Sequence, residues 1–296
     1  MIRHISFNEI DFDKWDKLVS SSQNGEIFCF SWYLSNFCEW DAIVLDNYSG
    51  AIALPTKSRF GFRTVFQPAF IQKCIWFGKE ANQNDIESLL KKNYSRIHFN
   101  TNLPFLRFKQ RDNFVLPLSL NEDELRSNFQ SALRRNLRHE KSLQVKKGHI
   151  NSVYQCYKDQ YGHLDNAINE QEFKALEDLM KQHPDVIESL EVYNKDEHLA
   201  SLLYLSNKQH KRIHYIMGAP TQNGRKQNAM AKAHLHVMKL HLESDWVFDF
   251  EGSSIPSVAK FYQKFGSLNE PFFEIEENTG LLFSLVHWTY KRFKRS

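Results

Sequence analysis

The stretch DFEGSSIPSVAKFYQKFGS, residues 249–267, decides the fold of the second half of the chain because it changes from strand to turn to helix. Its apolar positions recur at helical spacing, which predicts a helix over 255–265 with one buried face. The residues that share this face are Ile255, Val258, Ala259, Tyr262 and Phe265. A tyrosine on such a face is either a core residue or a group that the helix aims into a cleft.

The segments before this stretch place it in a sheet. A strand at 212–220 is followed by a helix at 228–243 and a second strand at 246–251. A strand, a helix and a strand in succession predict a parallel crossover, and ligands bind beyond the carboxyl ends of such strands. The sequence therefore points to 218–230 and 249–254 as the walls of a site.

Two acids stand at the end of the second strand. Alternation puts Asp249 and Glu251 on one face and Phe248 and Phe250 on the other. Carboxylates on an otherwise apolar strand are costly to bury without a partner. One of them, with Glu251 preferred, is expected to take the proton of an attacking amine or to bind it as ammonium. The alternative is a salt bridge to an arginine at 134–138.

The whole chain is of mixed α/β class, and its pattern starts again near residue 114. We expect two domains, 1–113 and 114–296, each a mixed sheet with helices on its faces. The second begins with a strand at 114–120 and one long helix over 121–142, with Asn121 as its N-cap.

That helix is basic. Arg134 and Arg138 share a face, and Arg135 lies to one side. Such a patch suits the phosphates of a nucleotide, a tRNA or a lipid-linked precursor. A solvated surface is the alternative, since most runs of charge are no more than that.

The strand, turn and helix at 249–267 resemble the last conserved helix of the GNAT superfamily of N-acyltransferases. In that family a small polar residue opens the helix, and a tyrosine and a glycine close it; here these are Ser253, Tyr262 and Gly266. The resemblance implies a fold of two tandem GNAT-like domains. It also implies that Tyr262 protonates the thiolate of coenzyme A as it leaves.

Within that superfamily the chain is similar to the tandem-domain Fem-type group, which uses aminoacyl-tRNA to modify peptidoglycan precursors. The stretches that carry the similarity are 249–267, the basic SALRRNLRHEKSLQVKKG at 131–148, and FCFSWYLSNF at 28–37. The long pair of heptad helices found in some members has no counterpart in this sequence.

The segment TQNGRKQNAMAK, residues 221–232, lies between a strand and a helix, where backbone N–H groups make an anion site. The resemblance implies that it binds the pyrophosphate of acetyl-CoA or another acyl-CoA. The residues expected to contact this donor are Gly218, Gly224, Arg225, Lys226, Gln227, Asn228, Ala229 and Ser253. Backbone N–H groups near Tyr215–Gly218 would hold the carbonyl oxygen of the donor. An ordinary polar turn is the alternative.

Composition excludes several classes of protein. The formal net charge is +3, so the balance of charge over the whole chain does not identify a polyanionic partner. The four cysteines form no CxxC pair, and the 13 histidines show no pattern of ligand spacing, so no metal is expected. An acidic N-terminus and the lack of a long apolar run favour the cytoplasm and argue against a transmembrane segment. The basic end of LLFSLVHWTYKRFKRS, 281–296, could contact an anionic membrane surface.

Three hypotheses for function follow from these observations. The first is an N-acyltransferase that moves an acyl group, acetyl above all, from coenzyme A to the amine of a small molecule or cell-wall precursor. The second replaces the donor by aminoacyl-tRNA. The third is a binding module with a GNAT-like fold and no catalysis.

Overall fold

The structure is a computed structural model of residues 1–296. It describes all of them except 60, 106, 165–166, 253–254, 281–282 and 284–296, and it does not describe the side chains of 139–141. Ser253 and the basic C-terminus, which carry two of the sequence predictions, therefore lie outside the described residues. No described helix is long and apolar enough to cross a membrane.

The chain divides into two compact units. Unit 1 consists of Met1–Arg111 and Phe272–Ser296, and unit 2 is the continuous segment Asp112–Pro271. This division differs from the expected one at its C-terminal end. The strand at Phe272–Asn278 pairs with strands of the first sheet, because its partners are Arg96–Thr101 and Phe108–Arg111.

Unit 1 is built on a sheet of eight strands, numbered here along the whole chain. Its strands are β1 (Ile2–Ile5), β2 (Trp40–Leu45), β3 (Gly50–Arg59), β4 (Phe62–Val65), β5 (Phe77–Gly78), β6 (Arg96–Thr101), β7 (Phe108–Arg111) and β15 (Phe272–Asn278). Its helices are α1 (Phe12–Ser21), α2 (Ser31–Phe37) and α3 (Gln83–Asn93). The spatial order is β1-β2-β3-β4-β6-β15-β7, with β5 also paired to β3. The pair β4–β6 is parallel, and the other described pairs are antiparallel.

Unit 2 is built on a sheet of seven strands. Its strands are β8 (Phe114–Pro117), β9 (Leu143–Lys147), β10 (Ile187–Asn194), β11 (Glu197–Asn207), β12 (Arg212–Pro220), β13 (Val247–Asp249) and β14 (Leu268–Asn269). Its helices are α4 (Glu122–Asn128), α5 (Ser131–Asn136), α6 (Ile150–Tyr161), α7 (Glu170–Gln182), α8 (Gln222–Lys226), α9 (Ala229–Lys239) and α10 (Pro256–Gln263). The spatial order is β14-β8-β13-β12-β11-β10-β9.

The prediction of one long helix over 121–142 is wrong. The segment forms α4, α5 and a 3-10 helix at Leu137–Ser142, although Asn121 does cap α4 as expected. The first break falls at Gln130, whose backbone N–H donates to the carbonyl of Lys264 after α10. Because that bond comes from a distant segment, local spacing could not indicate it.

The two faces of the unit 2 sheet differ in chemistry. One face, called here the aromatic face, carries Phe248 and Phe250, which are fully buried with the apolar residues of α9 and α10. The opposite face carries the polar side chains of β12 and β13, and α6 packs on β11 and β12. Burying a phenylalanine stabilises a fold by about 1.5–3 kcal/mol, so the aromatic face supplies much of the core.

The parallel contact between β12 and β13 is short. Three residue pairs form it, Arg212 with Val247, Ile213 with Phe248 and His214 with Asp249, after which β12 continues alone to Pro220 on this side. The register of β12 with β11 shifts just beyond, so that Ile216 is an extra residue on β12. Such a bulge bends a strand, so we expect β12 to leave the course of β13. The place where the β12–β13 ladder ends is called the divergence below.

Candidate active site

The carboxylate of Asp249 is fully buried, and the groups around it neutralise it. Its Oδ2 accepts hydrogen bonds from Arg212 Nη2 at 2.7 Å and Nε at 2.9 Å, and from Asn113 at 3.3 Å. Its Oδ1 accepts the backbone N–H of Glu251 at 2.7 Å. The partner is therefore an arginine of the neighbouring strand and not one at 134–138. With both oxygens engaged, Asp249 anchors the turn that follows β13.

Glu251 lies at the divergence and contacts a histidine that the sequence analysis did not identify. Its Oε1 is 2.5 Å from Nδ1 of His214, the last residue of β12 that pairs with β13. The side chain of His214 is buried, whereas that of Glu251 is 15% exposed. Glu251 and Gly252 both have left-handed backbones, with φ of 64° and 67°. This turn directs the Glu251 carboxylate back toward β12.

His214, Asp249 and Glu251 each place one possible metal-ligand atom within 4.8 Å of the others, and no other group of described residues does so. The Arg212 guanidinium, however, is already bound to Asp249 and supplies a positive charge there. A divalent ion would have to displace that guanidinium or share the carboxylate with it. The arrangement therefore favours a hydrogen-bonded proton-transfer group over a metal centre.

Tyr262 approaches the same point from the aromatic face. Its ring stacks on Phe250 with centroids 4.7 Å apart and meets Tyr215 edge-on at 6.4 Å. Burial raises the pKa of Tyr262 well above its ordinary value, and Tyr161, Glu251 and Asp249 add to the rise. The phenol therefore stays protonated and keeps a proton that it can donate.

Tyr161, the last residue of α6, also lies in this region. Burial raises the pKa of Tyr215 and of Tyr262, and Tyr161 adds a smaller contribution to each; burial also raises the pKa of Tyr161, which Arg225 partly offsets. Arg225 donates a hydrogen bond from Nη2 to Gln160 at 2.6 Å, which fixes α8 beside the end of α6. The end of α6, which carries Tyr161, is therefore adjacent to α8.

The predicted phosphate loop is in fact a short helix, α8, capped by Thr221. Gly224 is buried in it, and a Cβ atom there would lie 1.8 Å from the carbonyl oxygen of Leu199. Its role is to let α8 pack on β11, so it is not available to a ligand. Ala229 is likewise buried, whereas Lys226 is exposed.

Gly218 lies in β12, four positions past the last pair with β13. A Cβ atom at this position would come within 2.6 Å of the carbonyl oxygen of Ser201, so glycine allows β11 and β12 to approach closely. The carbonyl of Gly218 accepts a hydrogen bond from the hydroxyl of Tyr215 at 3.0 Å. The described part of β13 offers no ladder partner to this stretch of β12.

The first turn of α9 is the other element of the predicted donor site. Asn228, with φ of 58°, ends α8 and precedes α9, and its side chain accepts a hydrogen bond from Asn136 at 3.0 Å. Gln227 accepts one from Asn194 at 2.7 Å. The next three N–H groups, beginning at Ala229, have no partner within the helix because of helix geometry. The side chains of Gln227 and Asn228 are therefore engaged inside the protein, and the backbone N–H groups of this turn are the groups suited to an anion.

The contact of Asn136 with Asn228 sets the basic segment beside the start of α9. Arg134, Arg135 and Arg138 are exposed around this contact, although Arg134 also donates to the carbonyl of Ser127 at 2.8 Å. A helix N-terminus and flanking guanidinium groups both favour an anion. The structure thus joins two sequence predictions that were made independently.

Sequence reasoning missed Arg212, His214 and Tyr161. The first two had a signal: in RIHYIMG, 212–218, polar and apolar residues alternate, which places Arg212 and His214 on the same face of one strand. Tyr161 had none, because its surroundings depend on the packing of α6 on the sheet.

No protein-family model matches the chain, and no curated protein matches it significantly. Solved structures do. FemX aligns with a TM-score of 0.63 and 12% identity over 92% of this chain and 96% of that chain. A conserved protein of unknown function from Bacteroides thetaiotaomicron aligns with a TM-score of 0.59 and 10% identity over 92% and 100% of the two chains.

The C-terminal domain of a putative lysylphosphatidylglycerol synthetase from Agrobacterium fabrum aligns with a TM-score of 0.56 and 10% identity, over 94% of this chain and 95% of that chain. Identities this low show the fold alone. The chain shares with FemX and with this synthetase domain a mixed α/β architecture built on two mixed sheets, and the mixed α/β class predicted from the sequence is confirmed.

Proposed function

We propose that the chain is an acyltransferase of the GNAT type and that its reaction takes place at the divergence in unit 2. The observation that carries the proposal is the end of the β12–β13 ladder at His214 and Asp249. Ionisable groups flank this point from both faces of the sheet: Glu251 from the opposite face and Tyr262 from the aromatic face. An open strand edge between a carboxylate and a protonated phenol is suited to acyl transfer.

The chemistry follows from these positions. An ammonium group near pKa 10 loses one proton to solvent before it attacks, and the nitrogen loses a second proton as the amide forms, which the Glu251 carboxylate is placed to accept. The amine nitrogen forms a bond to the carbonyl carbon of the donor, and the bond from that carbon to the leaving sulfur or oxygen breaks. Tyr262 gives its proton to the leaving group. Solvent then returns a proton to the phenolate and takes one from Glu251, which restores both residues.

Backbone groups would stabilise the charge that develops on the carbonyl oxygen. The edge of β12 after His214 has no described strand partner on the β13 side, so N–H groups between Tyr215 and Gly218 can face the donor. Donors that are fixed before the reaction and aimed at a developing oxyanion contribute about 3–4 kcal/mol each.

An acyl-coenzyme A, with acetyl-CoA as the first choice, is the donor that we propose. Its pyrophosphate would lie at the first turn of α9, with Lys226 and Arg225 nearby. Gly224 and the side chains of Gln227 and Asn228 are left out of this contact, because each is engaged inside the protein. The acceptor is the amine of a small molecule or of a cell-wall precursor, and such a donor would place the reaction in the cytoplasm.

Aminoacyl-tRNA is the second candidate donor, and one observation favours it. The basic residues Arg135 and Arg138 are exposed beside the start of α9, where a phosphate backbone could continue past the site. The fold is also that of FemX and of a putative lysylphosphatidylglycerol synthetase domain, whose name describes an aminoacylated lipid. A membrane contact through the basic C-terminus would suit a lipid-linked acceptor.

A titration of the two donors tests the proposal. Acetyl-CoA at about 100 times its dissociation constant should stabilise the fold by about 2.7 kcal/mol, which is measured as a rise in melting temperature. Thiol release with lysine, spermidine and a lysine-containing peptide then reports transfer. Binding of charged tRNA that weakens steeply with salt, without a response to acetyl-CoA, would move the assignment to the second donor. A protein that binds and transfers neither donor would contradict both.

The experiment has a matched pair of variants. Lys226→Ala removes an exposed charge beside the α9 start and should weaken acetyl-CoA binding without changing the fold. Lys208→Ala removes an exposed charge in the turn between β11 and β12, at the end of β12 opposite to Pro220 and α8, and should leave acetyl-CoA binding unchanged. Equal effects of the two would show that charge in general, and not this site, binds the donor.

A further inference from the structure

His214 and Glu251 form a pair whose histidine has no part in the steps above. Nδ1 of His214 is 2.5 Å from Oε1 of Glu251 and 3.7 Å from Oδ2 of Asp249. An ionised carboxylate can only accept, so Nδ1 carries the proton in this contact. In this pair, His214 on β12 donates a hydrogen bond to Glu251, which follows β13.

The position of Glu251 is fixed at two points. Its backbone N–H is held by Asp249 at 2.7 Å, and its carboxylate is held by His214. Asp249 is held in turn by Arg212, which also binds Glu270 at 2.6 Å. Between these points the residue has a left-handed backbone with φ of 64°, which a non-glycine residue adopts only when its surroundings enforce it.

This placement has a function in acyl transfer. The carboxylate must point at the amine that it deprotonates, and a displacement of about 1 Å costs about 100-fold in rate. A glutamate with a free side chain would sample several rotamers and lose that geometry. One directional hydrogen bond from a buried ring restricts that freedom, since buried side chains are held by their packing.

We infer that His214 is a positioning residue of the proposed transfer, which fixes the Glu251 carboxylate at the divergence. The inference rests on the proposed function. During the transfer, the Nδ1–H bond of His214 is neither made nor broken. The amine proton goes to Glu251, and His214 acts only through that residue.

A double-mutant cycle separates this role from a simple part in the core. His214→Leu should lower kcat by about 10- to 100-fold and leave KM within about threefold, with acetyl-CoA as donor and lysine as acceptor. His214→Asn keeps an N–H donor near the position of Nδ1 and should recover most of that loss. In a Glu251→Gln background, His214→Leu should cost less than about threefold, because the group through which it acts is gone.

Ser189→Ala is the control for lost stability. Ser189 is fully buried in the same sheet, on β10, and donates to the carbonyl of Gly148 at 2.6 Å. This variant should lose stability as His214→Leu does and keep its kcat. If the two variants lose stability equally and kcat equally, the role of His214 is structural and the inference is overturned.

Nuclear magnetic resonance of the imidazole nitrogens gives a readout that needs no turnover. The wild-type protein should show His214 with the proton on Nδ1, and Glu251→Gln should shift that signal. A proton on Nε2 alone, an additive penalty in the cycle, or a loss confined to KM would each overturn the inference. A wild-type protein with the Nδ1 signal that transfers no acyl group would instead overturn the proposed function.

Discussion

Each unit contains one parallel pair of strands that separates after a few residues, and the two units use the separation differently. In unit 1, β4 pairs with β6 only through Thr64–Arg96 and Val65–Ile97. In unit 2, β12 pairs with β13 through three residue pairs. The separation of two strands is therefore common to both units and does not by itself define a site.

The difference lies in what fills the gap. In unit 1 the chain that follows β4 returns along β6 and fills the gap beside β6 through hydrogen bonds with Asn100. The Asn100 N–H donates to Gln67 Oε1 at 2.7 Å, its side chain donates to the carbonyl of Gln72 at 2.8 Å, and its own carbonyl accepts from Cys74 at 2.8 Å. In unit 2 no described backbone segment takes this place beside β12. An open strand edge is what distinguishes the unit that we assign to catalysis.

The buried polar clusters of the two units also stand at different ends of their strands. Asp41 of unit 1 is fully buried and contacts His4, Tyr94 and Arg63. Tyr94 lies just before the start of β6, and Arg63 lies at the start of β4. Asp249 closes β13 at its carboxyl end. Ligands of α/β sheets bind at carboxyl ends, so the first cluster is expected to support the fold and the second the reaction.

The largest expected effect follows from removing each buried aspartate. Asp249→Ala should lower the free energy of unfolding by about 3–5 kcal/mol, because it leaves the largely buried Arg212 without its carboxylate. Asp41→Ala should cost about 1–3 kcal/mol, because Arg63 is exposed and the buried hydroxyl of Tyr94 loses its carboxylate partner. Only Asp249→Ala should also lower kcat in the protein that remains folded. Chemical denaturation and turnover at a temperature where both variants are folded provide the measurement. An Asp41→Ala variant that loses kcat as well would remove the distinction between the units.

Glu251→Gln should leave the fold intact and lower kcat by about 100- to 1,000-fold, since the amide cannot accept the proton of the amine. The Gln side chain keeps an oxygen for the His214 contact, so the melting temperature should change little. Turnover measured against amine concentration tests this expectation. Activity within threefold of the wild type would exclude Glu251 as the base.

Tyr262→Phe should lower kcat by about 10- to 100-fold with little effect on donor binding. The stack on Phe250 depends on the ring, which phenylalanine retains. A matched change, Tyr204→Phe, removes another buried hydroxyl of the aromatic face, the one that contacts His234 at 2.8 Å. If both variants lose activity equally, the aromatic face acts through its packing and not through a proton donor.

The smallest effect concerns pH. Burial lowers the pKa of His234 from 6.5 to about 3, so this ring is neutral in the folded protein and protonated in the unfolded chain below pH 6.5. The unfolded state then binds the extra proton, and stability falls as pH drops from about 6.5 toward 3. At pH 5 the loss is about 2 kcal/mol. Denaturant midpoints of the wild type and His234→Leu should converge as the pH is lowered; a constant difference would contradict the prediction.

The sequence was sufficient wherever a local pattern determines the outcome. Alternation in 246–251 placed Asp249 and Glu251 on one face and Phe248 and Phe250 on the other, and the structure has them so. Helical spacing placed Tyr262 on the buried face of its helix, where it lies.

Predictions failed or stayed incomplete where a distant segment decides. The break at Gln130 depends on Lys264, the choice of Arg212 as the partner of Asp249 depends on strand order, and Gly224 is needed because of Leu199. None of these contacts leaves a trace in local spacing. The roles of the site residues in catalysis remain predictions that the experiments above test.

The return of β15 to the first sheet has a consequence for how the molecule is made on the ribosome. Unit 2 is continuous from Asp112 to Pro271, and its two ends are adjacent, since Asn269 donates to Asp112 at 2.9 Å. It can fold as soon as it emerges. Unit 1 must wait with the edge of β6 uncovered until residue 278 has been synthesised, because β15 is the strand that joins β6 to β7. The segment translated first is thus the last to be completed, and a nascent chain stalled before 272 would expose an unpaired edge to chaperones and to neighbouring chains.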